Sequence, residues 1–531
     1  MTAPLPSMPA LFWSSQRVNL NTFLRTAASR FGDKTAVASG DVRVSYADLD
    51  RESDRLASAL TRRGVSRGDR VAFLLGNSPE FLIAFFGVVK TGAIAVTLDP
   101  KYKMTELEVL FDDCRPSALL TESPALEYVA PELPRFPFIR QVFDLTNPPT
   151  GRFSTFRELM AGGTPSPMAS EPAPGDTAMI AYTSGASLNP RGIMLTHESI
   201  ALEAEISGEG FAETERDIVP LFALPLHHAA GLTIVVLTCF NRGGTIIMLP
   251  GTSIATLLQA IEKERATLLI AVPFIFAMLV RHAEEEGIKH DLGSLRLCAG
   301  GGSALFVEVG QRFKELFDRH IVQFWGLTEV TAHITCQAVD GSGVPGSIGK
   351  PLRGCEVKVV DDAGRVLGPC QEGELVCRGP MMKGYWNKPA ATAEVLKEGW
   401  LCTGDIGRID SDGNNFVTGR KKDLIIPKGQ NIAPGDMETV LVQHPKIVEA
   451  AAIGLPDKMR GEVVAVIVRP RSGESVSESE VKRLCLERLA NYKAPKEVYF
   501  VDFPLKGADG RVDKEALRRR LSLPPVFPFP A

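Results

Sequence analysis

The 531-residue sequence holds no C-x-x-C pair, no basic excess and no long uninterrupted apolar run. Its nine cysteines stand singly, at Cys114, Cys239, Cys298, Cys336, Cys355, Cys370, Cys377, Cys402 and Cys485. An odd, scattered set excludes a disulfide frame or a zinc site of the usual spacing and reads as buried thiols in a reducing compartment. Lys plus Arg (59) nearly balances Asp plus Glu (63), a formal net charge of −4. That balance argues against nucleic acid as a partner, and no polybasic block suits anionic lipid. The longest apolar run, residues 268–280, is interrupted by Pro273 and is too short to span a bilayer. The opening Met-Thr-Ala-Pro-Leu-Pro lacks the basic-then-apolar layout of a signal peptide, so a cytoplasmic location is expected.

At this length one hydrophobic core is not enough, and two or more domains are expected. The first half alternates residue types: 53–62 and 80–90 read as amphipathic helices, 71–75 and 94–98 as buried strands. This rhythm predicts an α/β fold, with parallel sheets covered by helices. Residues 162–175 read as a loop feeding a strand over 178–182. After about Val357 short strands alternate with Asp-Gly turns at 361–364 and 410–413, the signature of a β-rich, hairpin-built subdomain. A smaller α+β unit follows, with helices near 435–444 and 478–489. The charged triplet Lys421-Lys422-Asp423 marks the boundary, dividing the chain into 1–421 and 422–531.

The chemistry sits in short segments. Tyr182-Thr183-Ser184-Gly185-Ala186-Ser187-Leu188-Asn189-Pro190-Arg191-Gly192 follows a buried strand. Small, hydroxyl-bearing and Gly residues there let N–H groups wrap a phosphate, although alone the stretch reads as an ordinary turn. Six further segments change that reading. They are Leu224-Pro225-Leu226-His227-His228-Ala229-Ala230-Gly231, Ala299-Gly300-Gly301-Gly302-Ser303, and Phe324-Trp325-Gly326-Leu327-Thr328-Glu329, then Trp400-Leu401-Cys402-Thr403-Gly404-Asp405, Gly419-Arg420-Lys421-Lys422-Asp423 and Gly454-Leu455-Pro456-Asp457. In this order and at these intervals they resemble the acyl- and aryl-CoA ligase branch of the adenylate-forming superfamily. The resemblance runs from Ser45-Tyr46-Ala47-Asp48-Leu49 to Arg511.

That resemblance implies a large N-terminal nucleotide- and acyl-binding domain and a small, mobile C-terminal domain. It implies ATP, magnesium and coenzyme A as co-substrates and cofactor, with an acyl adenylate between the two steps. Thr183, Ser184 and Gly185 would cradle phosphates, Thr328 would bond the α-phosphate, and Glu329 would face the magnesium ion, a task suited to a carboxylate. Gly302, Ser303, Phe324, Trp325 and Gly326 would form the adenine slot, with Trp325 standing where the family usually has Tyr. Asp405 would accept the ribose hydroxyls, and Arg420 would donate to ribose or phosphate. His228 would lie at the acyl carboxylate; His227, where the family often has Phe, reads as structural. Ala229, Ala230 and Gly231, with Gly300, Gly301 and Leu327, would leave room for a bulky apolar acid. Lys422 would be the hinge, and the Lys428-Gly429 loop would swing in to line the pantetheine tunnel.

Two departures fall on the adenylation half. The family's phosphate loop runs approximately Thr-Ser-Gly-Thr-Thr-Gly-x-Pro-Lys-Gly. Here Ala186 lacks a hydroxyl, Leu188 replaces a flexible Gly, and Arg191 replaces Lys. Near the carboxy terminus the family carries a catalytic Lys in Pro-x-Thr-x-x-Gly-Lys. Here Pro504-Leu505-Lys506-Gly507-Ala508-Asp509-Gly510-Arg511 is one residue longer and ends in Arg, a planar fork instead of a point charge. Displacing one preorganised charge costs roughly 3–4 kcal/mol at a transition state.

The expectation is therefore a ligase that turns an acyl adenylate and coenzyme A into acyl-CoA and AMP, with ATP cleavage impaired. A partner adenylating enzyme would supply the intermediate, as in the non-adenylating ligase of platensimycin-type diterpenoid pathways, which the chain resembles in this respect. Three alternatives stay open: a complete two-step synthetase, acyl transfer to a carrier protein, and a non-catalytic acyl- or nucleotide-binding pseudo-ligase.

Overall fold

The computed structural model describes residues 18–146, 151, 153–168, 170–182, 190–251, 253–420, 424–505, 512 and 514–523. Ser45 caps the helix Tyr46–Arg62 through a reciprocal pair of bonds with Asp48, which explains why the Ser-x-x-Asp motif stands at that helix start. Ser78 caps Pro79–Lys90, whose Pro supplies the fixed φ of a first helical turn. These two helices cover one face of an eight-stranded sheet and share its largest core.

The sheet order is Gly384–Tyr385, Gly192–Thr196, Thr177–Tyr182, Ile94–Thr97, Arg70–Leu74, Ala118–Thr121, Gln141–Asp144, Ser154–Thr155. Its central strands are parallel and, apart from Arg70 and Thr177 at their starts, buried, as the apolar runs predict. One edge departs from the parallel expectation: Gly192–Thr196 runs antiparallel to Thr177–Tyr182, and Gly384–Tyr385 antiparallel to Gly192–Thr196. The chain returns from Tyr182 to Gly192 over nine residues, shorter than the dozen or so a parallel crossover needs.

A second, mixed sheet runs Leu268–Ala271, Leu297–Gly300, Ile321–Trp325, Thr335–Cys336, Lys350–Pro351, its first two pairings parallel. The Asp-Gly turns close hairpins of an antiparallel sheet that includes Glu356–Val360, Gly373–Arg378, Trp400–Ile409 and Asn415–Arg420. From Ile425 onward the chain builds its own cores around a three-stranded sheet, Ile447–Asp457, Gly461–Pro470 and Glu497–Phe500, with helices Pro434–Leu441 and Glu478–Arg488. None of the nine cysteines forms a disulfide. Among the described residues no helix is long and apolar enough to cross a membrane.

Candidate active site

A cavity of about 880 Å³ opens beyond the carboxyl ends of Leu268–Ala271, Leu297–Gly300 and Ile321–Trp325, where open α/β sheets place their ligands. Phe324 and Trp325, the last residues of one strand, line it, as do Gly301, Gly302 and Ser303 after Leu297–Gly300 and Gly326, Leu327, Thr328 and Glu329 after Ile321–Trp325. The hairpin sheet supplies the opposite wall. Antiparallel register sets Asp405 of Trp400–Ile409 directly across from Arg420 of Asn415–Arg420, and the guanidinium Nε lies 3.6 Å from Asp405 Oδ1. Two distant motifs thus become a cross-strand charge pair. The Trp325 indole N–H donates to the other oxygen, Asp405 Oδ2, at 3.0 Å.

Thr328 and Glu329 sit on a short 3₁₀ turn, after which Thr331 and Ala332 are held at φ +62° and +117°. Backbone strain of this kind persists only where the surroundings over-determine it, and here the Thr331 hydroxyl donates to the Pro380 carbonyl at 2.6 Å while Thr233 donates to the Thr331 carbonyl at 3.0 Å. The Tyr385 hydroxyl donates to Glu329 Oε1 at 2.9 Å. Among the described residues no group of three or more His, Cys, Asp or Glu side chains could hold a metal alone. A single cavity-facing carboxylate still fits magnesium, which keeps several waters and binds through one or two carboxylates plus substrate phosphates.

The acyl side is built on the segment after Ile218–Leu221. Ala230–Leu237 winds as a π-helix, a geometry frequent at functional sites. His228, Ala229, Ala230, Ile234 and Val235 face the cavity. Two glycines expected there do not line it. A Cβ on Gly231 would lie 2.3 Å from the Pro225 carbonyl oxygen, and one on Gly300 would lie 3.0 Å from Ile321 and 3.3 Å from Phe276. Both glycines serve close packing behind the wall. His227 packs beneath His228 with ring centroids 4.5 Å apart, and its Nε2 is 3.7 Å from Asp99 Oδ2. Burial pulls His227 down to about 3 and lowers His228 as well, so both imidazoles are neutral at physiological pH.

The C-terminal unit closes the remaining side. Lys428, Gly429, Gln430 and Asn431 line the cavity, and the Lys428 ammonium sits 4.7 Å from the Phe274 ring centroid. Gly429 is at φ +79°, and a Cβ there would fall 2.5 Å from Val272 Cγ1, so only Gly fits. Ile426 is buried with its N–H donating to Glu462 Oε2 at 2.8 Å; Glu462 Oε1 also lies 3.6 Å from Arg420 Nη1.

Thr183, Ser184 and Gly185 lie outside the described residues, as do Ala186 and Leu188 of the same loop, Lys422, Lys506 and Arg511. Arg191, just beyond the loop, does line the cavity with its guanidinium 5.5 Å from the Tyr385 ring centroid. Sequence reasoning missed Tyr385, Lys101 and Tyr492, all of which face the cavity. The aromatic pair Tyr385-Trp386 in a Gly- and Pro-flanked loop was a signal for the first; nothing local marked the other two.

Comparisons with known proteins show the family and the fold. The model of the AMP-binding enzyme family matches residues 24–386, and that of the AMP-binding enzyme C-terminal domain matches 436–509. The chain is 32% identical over 535 residues to a long-chain-fatty-acid–CoA ligase of Bacillus subtilis (strain 168), covering 94% of each. It is 34% identical to an indoleacetate–CoA ligase of Aromatoleum aromaticum, covering 92% of this chain and 95% of that one. Among solved structures it is similar to the amide bond synthetase McbA of Marinactinospora thermotolerans, with TM-score 0.84, 29% identity and coverage of 94% and 99%. It is similar also to o-succinylbenzoate CoA synthetase of Bacillus subtilis bound to a product analogue, with TM-score 0.82, 29% identity and coverage of 94% and 98%. The chain belongs to the AMP-binding, adenylate-forming enzyme superfamily, in its acyl-CoA ligase branch.

Proposed function

We propose that this ligase specialises in the second half-reaction, taking a bulky apolar acyl adenylate and coenzyme A to acyl-CoA and AMP. One observation carries the reading: the 428–431 loop of the C-terminal unit lies inside the cavity, with Gly429 against Val272 and Lys428 over Phe274. The missing Cβ lets Gly429 pack directly against Val272, and that close contact seats the loop where it would form one wall of a pantetheine tunnel. The thiol gives its proton to solvent as its sulfur attacks the acyl carbonyl, the bond from that carbon to the phosphate oxygen breaks, and AMP leaves. Asp405, Arg420 and Trp325 hold the nucleotide that departs. Neutral His228 meets the acyl end, where it donates a hydrogen bond to the carbonyl oxygen.

The division into 1–421 and 422–531, with Lys422 as pivot, is part of this proposal. So is the weakened first half. By the family pattern, Ala186, Leu188 and Arg511 replace residues that hold and cleave ATP, and displacing one preorganised charge there is worth about 10²–10³ in rate. When bound, magnesium would supply Lewis-acid neutralisation of phosphate charge beside Glu329. An adenylating partner would then provide the intermediate, and the location is cytoplasmic.

The test supplies synthetic dodecanoyl, indoleacetyl and feruloyl adenylates, each with coenzyme A or with a phosphopantetheinylated carrier protein. Thioester and AMP should appear in equal amounts with coenzyme A and only slowly with the carrier. Tight adenylate binding without either product would point to a pseudo-ligase and overturn the reading. A second reading, with an amine as acceptor, draws on the likeness to the amide bond synthetase; adding a primary amine in place of the thiol decides it.

A further inference from the structure

The two units meet in a buried ion cluster that no motif marks. Lys493, on the 3₁₀ turn Asn491–Lys493 of the C-terminal unit, has a fully buried side chain. Its ammonium donates to Glu106 Oε1 at 2.8 Å and to Asp436 Oδ2 at 2.7 Å. Glu106 belongs to the N-terminal helix Met104–Cys114 and is likewise fully buried. Its second oxygen, Oε2, accepts from the backbone N–H of Ala490 at 2.9 Å and from that of Lys103 at 3.0 Å. The Tyr102 ring lies under the ammonium, its centroid 5.4 Å away.

The pairing is asymmetric across the interface. Asp436 and Lys493 both sit in the C-terminal unit, so that contact travels with the unit when it turns. Glu106 and Lys103 both sit in the N-terminal part, so the cap of that helix also survives a turn. The Lys493–Glu106 and Ala490–Glu106 bonds cross over, and both are lost when the unit turns away. A buried ion pair adds little net stability, but leaving either partner buried and unpaired is costly, so such a pair selects one register. The register it selects is the one that puts Tyr492, next to Lys493, and the 428–431 loop into the cavity wall.

We infer that Glu106 is a positioning residue for thioester formation: it receives Lys493 and the Ala490 N–H and so latches the C-terminal unit with the pantetheine slot formed. The inference rests on the proposed second half-reaction, and it assigns to Glu106 no contact with the reacting atoms. Its effect is confined to the step that needs this orientation, whereas the nucleotide contacts through Asp405 and Trp325 are independent of it.

The experiment compares wild type with Glu106→Gln and Lys493→Met, all checked for wild-type thermal unfolding. Single-turnover thioester formation is followed from whichever of the three adenylates named above the wild type converts fastest. Both variants should slow this step at least about tenfold, while AMP affinity stays within about twofold. Hydrogen exchange at the amides of 490–493 should accelerate at least about tenfold in Glu106→Gln. A folded Glu106→Gln protein with wild-type thioester rate and wild-type exchange would overturn the latch, as would an equal loss of AMP affinity. If the wild type forms no thioester, the proposed function fails, and the exchange measurement alone decides the latch. Should a variant not fold, Lys493→Arg, which keeps the charge, gives the same two readouts.

Discussion

The indole N–H of Trp325 donates to Asp405 Oδ2 at 3.0 Å, while Arg420 stands 3.6 Å from the other oxygen of the same carboxylate. The aromatic wall proposed for adenine and the carboxylate proposed for ribose are therefore one hydrogen-bonded unit. Trp325 performs two tasks: its ring faces the cavity and its edge fixes the carboxylate. Trp325→Phe keeps the ring face and removes the donor. AMP affinity should fall about tenfold, as expected for one hydrogen bond to a charged group. Titration calorimetry checks it, and unchanged affinity would mean Arg420 alone orients Asp405.

A substitution at Gly429 should separate holding an adenylate from consuming it. Gly429→Ala places a Cβ 2.5 Å from Val272 Cγ1 on a backbone at φ +79°. The loop must withdraw, so thioester formation from a supplied adenylate should drop by about 100-fold or more. AMP affinity should change less than about threefold, since the nucleotide residues lie elsewhere. A matched loss of both would place the loop in nucleotide binding instead.

Stability should carry a pH signature from Glu213, which is buried with neither carboxylate oxygen hydrogen-bonded. Burial, reinforced by the charge of Asp217, pushes its carboxyl up to about 8 despite Arg296 and Arg242. The folded chain thus keeps a proton that the unfolded chain releases near pH 4.3. This contribution to stability is full below that pH, is lost as pH rises towards 8, and is flat above. Glu213→Gln removes the dependence. The Tm difference between variant and wild type should grow from pH 5 to pH 8 and then level off; a constant difference would contradict the assignment.

The proposed defect in adenylation should be repairable. Arg511→Lys, alone and with Ala186→Thr, restores the charge geometry and the hydroxyl that relatives use. ATP–pyrophosphate exchange should rise at least about tenfold in the double variant. No gain would show that the lengthened 504–511 segment, not the residue at its end, sets the rate.

What could be read before the structure followed from how locally each feature is encoded. The parallel strands and the Asp-Gly hairpins were legible because period and turn chemistry are short-range, and Asp405 and Arg420 were legible as members of ordered motifs. Their cross-strand register was not, because the hairpin pairing that aligns them depends on strand geometry between two turns. Gly231 and Gly300 show the opposite error. A missing side chain looks like free space in a sequence, yet both positions are glycine because Pro225, Ile321 and Phe276 already fill that space. Glu106 and Lys493, 387 residues apart, were invisible, since nothing local distinguishes a latch from two ordinary surface charges.

The adenylate that this ligase is proposed to consume is one it should make only poorly. The direct measurement is one preparation assayed two ways: thioester formation from a supplied acyl adenylate with coenzyme A, and ATP–pyrophosphate exchange with the matching free acid and magnesium. Thioester formation should exceed exchange by at least about 10²-fold. Exchange as fast as thioester formation would contradict it and establish a complete two-step synthetase.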